Sequence, residues 1–277
     1  MTFEPEQLGQ SRTDLAEKLR ELHKRAGLTG DRLARRCNMS QSQISKFETG
    51  KKTPKLVDVE RILRALDAPA ELVTEITALA RIANTEWQDK RSSWRRGMEK
   101  RQAELASLES EATELRYFLP AMITGLLATP EYIHASLSHT PGDPSRTIAK
   151  KLERQAILYD SAKTFTFLLT KQAVRWAIVP HSALAVQIGR LTSISYLPPN
   201  IRMGVIPLGV VMPRGPMNTF TIYDDRLATV ENFTGRMVFR DPRDISEYIA
   251  IFTSFERYAL FGGEARDLLE QCADPYR

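Results

Sequence analysis

Apolar residues recur along the first seventy positions at helical spacing. Leu15, Leu19, Leu22 and Ala26 fall on one face of a helix, with Thr13 or Asp14 as N-cap and Gly27 as stop. Thr29 then caps a short second helix, DRLARRC, which buries Leu33, Ala34 and Cys37. Asn38 follows at the break, where a residue tolerant of the left-handed conformation is wanted. Ser40 opens a third helix, QSQISKFE, with Ile44 and Phe47 inward, and Thr49-Gly50 ends it. A fourth helix, from about Lys55 to Leu66 behind Pro54, buries Leu56, Val59, Ile62, Leu63 and Leu66. The pattern predicts a helix, three-residue turn and helix over 29–48, inside a bundle of four or five helices.

From Pro69 onward, Leu72, Ile76, Leu79 and Ala83 keep helical spacing. A long polar helix is then predicted from about Thr85 to Phe118, with the apolar line Trp94, Met98, Leu105, Leu108, Ala112, Leu115 and Leu119. That line suits a coiled-coil seam or a face packed on the chain's own C-terminal domain. About 30 helical residues would span roughly 45 Å. Beyond Pro120 the pattern changes. LLATPEYIHASL, RTIAKKLERQAILYD, His181–Ile194 and Ile245–Leu260 read as helices. TFTFLLT, IRMGVIPLG, NTFTIYD, RLATVEN and GRMVFR read as short strands. The fold class expected is mainly α with an α+β C-terminal domain. Its parts are a helix-turn-helix bundle over 1–68, a helical linker over 69–118, and helices with a largely antiparallel sheet over 119–277. Such a sheet would suit a PAS- or GAF-like sensor module.

Composition changes this picture little, but charge does. The net charge is +5. Residues 12–64 hold fourteen Lys/Arg against seven Asp/Glu, and residues 102–277 eighteen against nineteen. Positive charge thus concentrates in the N-terminal third, which points to a polyanion. The third helix also has an unusual outer face: Gln41, Ser42, Gln43, Ser45 and Lys46, with no acid until Glu48. Glutamine can bond adenine bidentately, and serine and lysine can reach bases or phosphates. Gln41, Ser42 and Lys46 are therefore the candidate base readers. Thr29, Gln43, Ser45, Thr49, Lys51, Lys52 and Lys55 are the candidate phosphate contacts. The cluster Lys90, Arg91, Arg95, Arg96, Lys100 and Arg101 is expected in solvent, or as a second DNA contact.

The segment LTGDRLARRCNMSQSQISKFETGKKTPKL resembles the Xre-type, lambda-repressor-like helix-turn-helix family over about residues 12–68. The resemblance implies double-stranded DNA as partner and a homodimer on two half-sites. The chain departs from the family at Gly30, where many members carry Gln, at Cys37, a usual core Leu, and at Asn38, a usual turn Gly. The segments LLATPEYIHASL, LERQAILYD and PPNIRMGVIPLG, and the run from TFTIYDDRLATVENFTG onward, are similar to the C-terminal domain of actinobacterial WhiJ-like or antitoxin-like regulators. EWQDKRSSWRRGMEKRQAELASLESEATELRYFLP fits that family's linker. This resemblance implies a transcriptional regulator with a small partner protein encoded nearby. An alternative is an antitoxin-like interaction protein, with DNA binding secondary. Lys171-Gln172 stands where the family commonly has Glu after a strand.

Other chemistry is expected to be absent. His23, His134, His139 and His181 make no metal-spaced pair, and no G-x-S-x-G, Walker or G-x-G-x-x-G motif occurs. No catalysis, metal or cofactor is expected. Two distant cysteines, Cys37 and Cys272, make no disulfide framework, and Phe118–Ala128 is too short for a membrane span. A cytoplasmic protein is expected, with no membrane partner. Aromatic residues from Phe165 to Tyr258 suit a domain core, or a core with a pocket for a small-molecule effector.

Overall fold

The computed structural model describes residues 5–89, 98–196 and 200–276. Trp94, Lys90, Arg91, Arg95 and Arg96 lie outside the described residues. The chain divides into two compact units, residues 1–87 with 237–241 and residues 88–236 with 242–277.

The first unit is a helical bundle: α1 (Pro5–Arg25), α2 (Gly30–Cys37), α3 (Gln41–Glu48), α4 (Leu56–Ala65) and α5 (Ala70–Asn84). Thr13 and Asp14 lie inside α1, so neither is its N-cap. Leu15, Leu19, Leu33, Cys37, Ile44, Phe47, Leu56, Val59, Ile62 and Leu63 share one core, and α5 adds Ile76, Ala80 and Ala83 to it. Backbone carbonyls at helix ends find side-chain donors. Arg36 donates to Ala65 O at 3.1 Å, Arg12 to Ala83 O at 3.2 Å, and Asn84 to Pro54 O at 3.0 Å. Cys37 and Cys272 are both buried and unpaired. Burial pushes the Cys37 thiol up, as suits a core residue.

The second unit is α+β. Thr85–Asp89, which spans the boundary of the two units, forms a short strand, β1, and the helix expected over 85–118 is shorter: α6 spans Met98–Glu111 and gives way to strand β2 (Glu114–Leu119). Two distant residues impose the break. The buried Lys163 ammonium binds Ser110 O at 2.7 Å and Ala112 O at 2.6 Å, capping the carbonyls of the last turn. The Asp224 carboxylate takes the Thr113 and Glu114 N–H groups at 2.9 and 2.8 Å. The face that α6 buries is also not the apolar line. Gln102 and Glu109 are buried, whereas Leu105 and Leu108 are half-buried.

There follow α7 (Pro130–Ser136), α8 (Ser145–Arg154), a 3-10 turn, β3 (Thr164–Thr170), the one-turn α9 (Lys171–Arg175) and α10 (His181–Ile194). Next come β4 (Ile201–Ile206), β5 (Thr219–Tyr223), β6 (Leu227–Glu231), β7 (Gly235–Phe239), α11 (Pro242–Glu256) and α12 (Gly262–Ala273). Six neighbouring strands of the seven-stranded sheet run in the order β7-β6-β5-β2-β3-β4. β2, β3 and β4 are parallel, while β5 is antiparallel to β2 and β6 to β5. The α+β class stands, and the sheet is mixed rather than largely antiparallel. The PAS- or GAF-like expectation rested on an antiparallel sheet and loses that basis. Parallel strands need helical crossovers, and both faces of β3 are covered, so TFTFLLT is buried from Phe165 onward. One face stacks Phe118 on Phe255 of α11, with Phe220 against Tyr248 and Phe252. The other stacks Tyr117 on Phe167. Gly262-Gly263 opens α12.

Asp224 is a test of this assembly. It sits at a left-handed φ of 53° in the β5–β6 turn. Burial works against its charged form, but the bonds from Glu114 and Thr113 outweigh it and hold the carboxyl below the usual range. A depressed folded value stabilises above the ordinary carboxylate range and is lost as pH falls through it. Asp224→Ala should therefore cost about 1 kcal/mol at neutral pH, since the exposed Thr113 N–H and the part-buried Glu114 N–H lose their acceptor. Asp224→Asn should lose less and should flatten the acid limb below about pH 4. Urea unfolding from pH 7 to 3 checks both.

Candidate nucleic-acid interface

The α2–turn–α3 unit is built by local capping. Thr29 accepts from Arg32 N–H at 3.3 Å and starts α2. Asn38 ends it in the left-handed region at φ 54°, ψ 48°, and the Met39 N–H returns to Ala34 O at 2.9 Å. Ser40 accepts from Gln43 N–H at 3.2 Å and starts α3. Gly50, at φ 68°, takes the chain out of α3 in a conformation that favours glycine.

Within α3, Ile44 and Phe47 are 2% and 1% exposed and anchor the helix in the core. The opposite face is thereby turned to solvent. Gln41, Ser42, Ser45 and Lys46 are exposed on it, and Gln43 is half-buried. Thr49, Lys51, Lys52 and Lys55 are exposed along the exit toward α4, and Thr29 is exposed at the start of α2. The ten predicted residues thus occupy one helix-turn-helix unit and its exit segment. Their free donors differ. The Thr29 oxygen accepts the cap bond, which leaves its hydroxyl proton available. The Thr49 hydroxyl donates to Ser45 O at 2.7 Å, so its proton is already committed. The Lys52 N–H is fixed to Lys46 O at 3.1 Å, and its ammonium lies 5.9 Å from the Phe47 ring centroid.

Two features escaped the sequence reading. Glu48, the one acid of α3, turns toward α1, where it meets His23 Nδ1 at 2.6 Å with both side chains largely buried. The outward face of α3 is left without a carboxylate to repel phosphates. Second, the Gln41 side chain lies across the start of α2. A Cβ at Gly30 would stand 3.4 Å from Gln41 Cγ and 3.5 Å from its Nε2. Even a Cβ here would touch Gln41 only at ordinary van der Waals distance, so the two positions are neighbours in the fold, which no linear motif displays. Lys100 is exposed, and Arg101 is paired with Glu231 at 2.8 Å rather than free in solvent.

This geometry defines a helix-turn-helix domain, and the model of the family described as "Helix-turn-helix domain" matches residues 14–76. The chain is accordingly that of a DNA-binding helix-turn-helix regulator. Residues 102–271 match the model of the "Domain of unknown function (DUF5753)", and the chain belongs to that family. No curated protein matches the chain.

Solved structures with some similarity to this chain include NucT from Helicobacter pylori, at 12% identity and a TM-score of 0.39 over 64% of this chain and 98% of that one. Nuc from Salmonella typhimurium, a phospholipase D family member, has 6% identity and a TM-score of 0.35 over 58% and 90%. TrmBL2, an archaeal chromatin protein with a novel mode of DNA binding, has 14% identity and a TM-score of 0.32 over 72% and 65%. The expectation of no enzyme does not stand against these neighbours. It rested on missing linear motifs, and a missing motif does not exclude catalysis. With TM-scores below 0.5, the likenesses carry no argument for a particular reaction.

The cap at Ser40 positions everything on α3. Ser40→Ala should lower the stability of the first unit by about 1 kcal/mol. Ser40→Asp should restore it, because the carboxylate also accepts from the N-terminal N–H groups. Thermal unfolding followed by circular dichroism checks the pair.

Proposed function

We propose that the chain is a sequence-specific, Xre-type transcriptional regulator that acts in the cytoplasm as a homodimer on double-stranded DNA. The observation that carries this reading is the outward face of α3, donor-rich, cationic and free of carboxylate. Gln41, Ser42 and Lys46 reach base edges. Thr29, Gln43, Ser45, Lys51, Lys52 and Lys55 hold phosphates, with Thr49 serving chiefly to close α3. A single recognition helix reads only a few base pairs, so two copies on half-sites one turn apart are needed for useful specificity. The family's C-terminal domain supplies the dimer contact and the response to an effector, whether a small partner protein encoded nearby, as in WhiJ-like actinobacterial regulators, or a small molecule.

The operator is first defined by mapping the bound genomic sites. Gln41→Ala should then cost about 1–3 kcal/mol on the operator and little on random DNA, because base contacts specify while phosphate contacts position. Lys52→Ala should weaken both similarly and reduce the salt slope by about one unit. Equal loss on both DNAs for Gln41→Ala would remove Gln41 from the readers. Operator titration with and without the neighbouring gene's small protein tests the effector arm. An affinity change of roughly 5- to 150-fold is expected, and unchanged affinity with confirmed partner binding would reduce the domain to a scaffold.

A further inference from the structure

Strand register gathers exposed apolar side chains of the second unit at one end of its sheet. β2, β3 and β4 are parallel, so Leu119, Thr170 and Ile206 all end their strands on the same side. β5 pairs Phe220 with Phe118, near the end of β2, so the loop 207–218 that joins β4 to β5 lies at that end too. Glu231, the last residue of β6, pairs with Thr219, the first of β5, which brings the β6–β7 turn to the same place. Met122, Leu208, Val210, Val211, Met217 and Phe233 stand in the segments at this end. All six are exposed, Val211, Met217 and Phe233 at 91%, 88% and 94%. Met217 and Phe233 each lie two positions beyond the Thr219–Glu231 pair, on adjoining strand ends.

These segments are held in shape by their own chemistry. In the β6–β7 turn, Asn232 Oδ1 accepts from the Thr234 N–H at 2.9 Å, the Thr234 hydroxyl at 3.0 Å and the Gly235 N–H at 2.8 Å. This Asx turn fixes the backbone around Phe233 while its ring stands in solvent. The loop 207–218 has no helix or strand of its own, but Pro207, Pro213 and Pro216 restrict it. Large side chains on a backbone shaped in advance lose little freedom on contact, which is the property of an interface anchor. The segment after β3, with Lys171 and Arg175, is met instead by the chain's own C-terminal turn, where the Tyr276 hydroxyl donates to Arg175 O at 3.5 Å.

Charge identifies the occupant. Segments 120–129, 207–218 and 232–234 contain one charged residue, Arg214, whereas charged residues make up 26% of the chain. Glu231, at the foot of the β6–β7 turn, is already paired with Arg101 at 2.8 Å. A charged protein or an anionic bilayer would find little here to pair with. A second copy needs no such pairing. In a two-fold contact each patch meets itself, so a surplus of either sign would be set against itself. Homodimer contacts are correspondingly apolar, with charge depleted at their core. We propose that this end of the sheet, centred on loop 207–218 and Phe233, is the surface on which a second copy of the chain docks. The inference rests on the homodimer of the reading above and gives that dimer its contact.

The test is sedimentation velocity of the full-length protein, without DNA, over a wide range of concentration. The wild type should sediment as a dimer. Phe233→Asp and Val211→Asp should each weaken dimerisation about tenfold or more, because each sets two carboxylates into the contact. Tyr159→Asp, exposed before the start of β3 and so at the opposite end of the sheet, should not. Circular dichroism should be unchanged in all three, since none of these side chains is packed in the core. The proposal is overturned if the wild type is monomeric at every concentration, if both Phe233→Asp and Val211→Asp dimerise as the wild type does, or if Tyr159→Asp is as damaging. A monomeric wild type that binds phosphatidylglycerol vesicles, or the neighbouring gene's small protein, and loses that binding in Phe233→Asp would give the surface to that partner and overturn the proposal equally. Failure here is distinguishable from failure of the DNA reading. Selection from random-sequence DNA by wild type and Phe233→Asp should enrich the same half-site, and that result keeps α3 as the reader whichever way the sedimentation falls.

Discussion

The burial of Ile44 and Phe47 is the constraint on which the DNA-reading end of this protein depends. Two apolar side chains three positions apart fix the rotation of an eight-residue helix about its own axis. Helices of this length have little stability alone, so their orientation comes from the core they enter. With that face fixed, Gln41, Ser42, Ser45 and Lys46 face outward. The caps at Thr29, Asn38 and Ser40 fix where the helices begin and end. The inward turn of Glu48 onto His23 takes the one acid of α3 away from an anionic partner.

The second unit rests on a different kind of contact. Its sheet is parallel in one half and antiparallel in the other, and the two halves meet at β2. Asp224 from the antiparallel half and Lys163 from the parallel half both bind backbone groups between α6 and β2. The position where the chain turns from helix to strand is thus set by residues about fifty and more than a hundred positions away. Above that junction, α6 presents charged and amide groups to the sheet instead of apolar ones, which gives this unit a polar layer.

Local chemistry was the part legible in the sequence. The caps at Thr29 and Ser40, the left-handed Asn38, the strand TFTFLLT and the short strands from Ile201 onward all depend on residues within a few positions of each other, and the structure has them in place. Elements fixed by distant partners were not legible. Continuous helical spacing from Leu105 to Leu119 hides β2, because nothing in ELRYFL reveals that Asp224 will take the N–H groups before it. The buried side of α6 was equally hidden, since Gln102 and Glu109 read as solvent-facing until Arg154 and Tyr117 are seen beneath them. At the DNA-reading face the residue types could be named from sequence. The Gln41–Gly30 packing and the Thr49 hydroxyl bond could not, because both depend on side-chain directions. The missing catalytic motifs were weak grounds for excluding an enzyme, since linear motifs record only chemistry already familiar from other folds.

The most direct measurement of the central claim is the selection of DNA from a random-sequence pool by the full-length protein and by Gln41→Arg. If the outward face of α3 reads bases, the wild type will enrich a single motif as two half-sites about one helical turn apart. The variant will enrich a motif changed at one position per half-site, toward guanine, the base that arginine pairs bidentately. Enrichment of no motif by the wild type, or of the same motif by both proteins, would contradict the account.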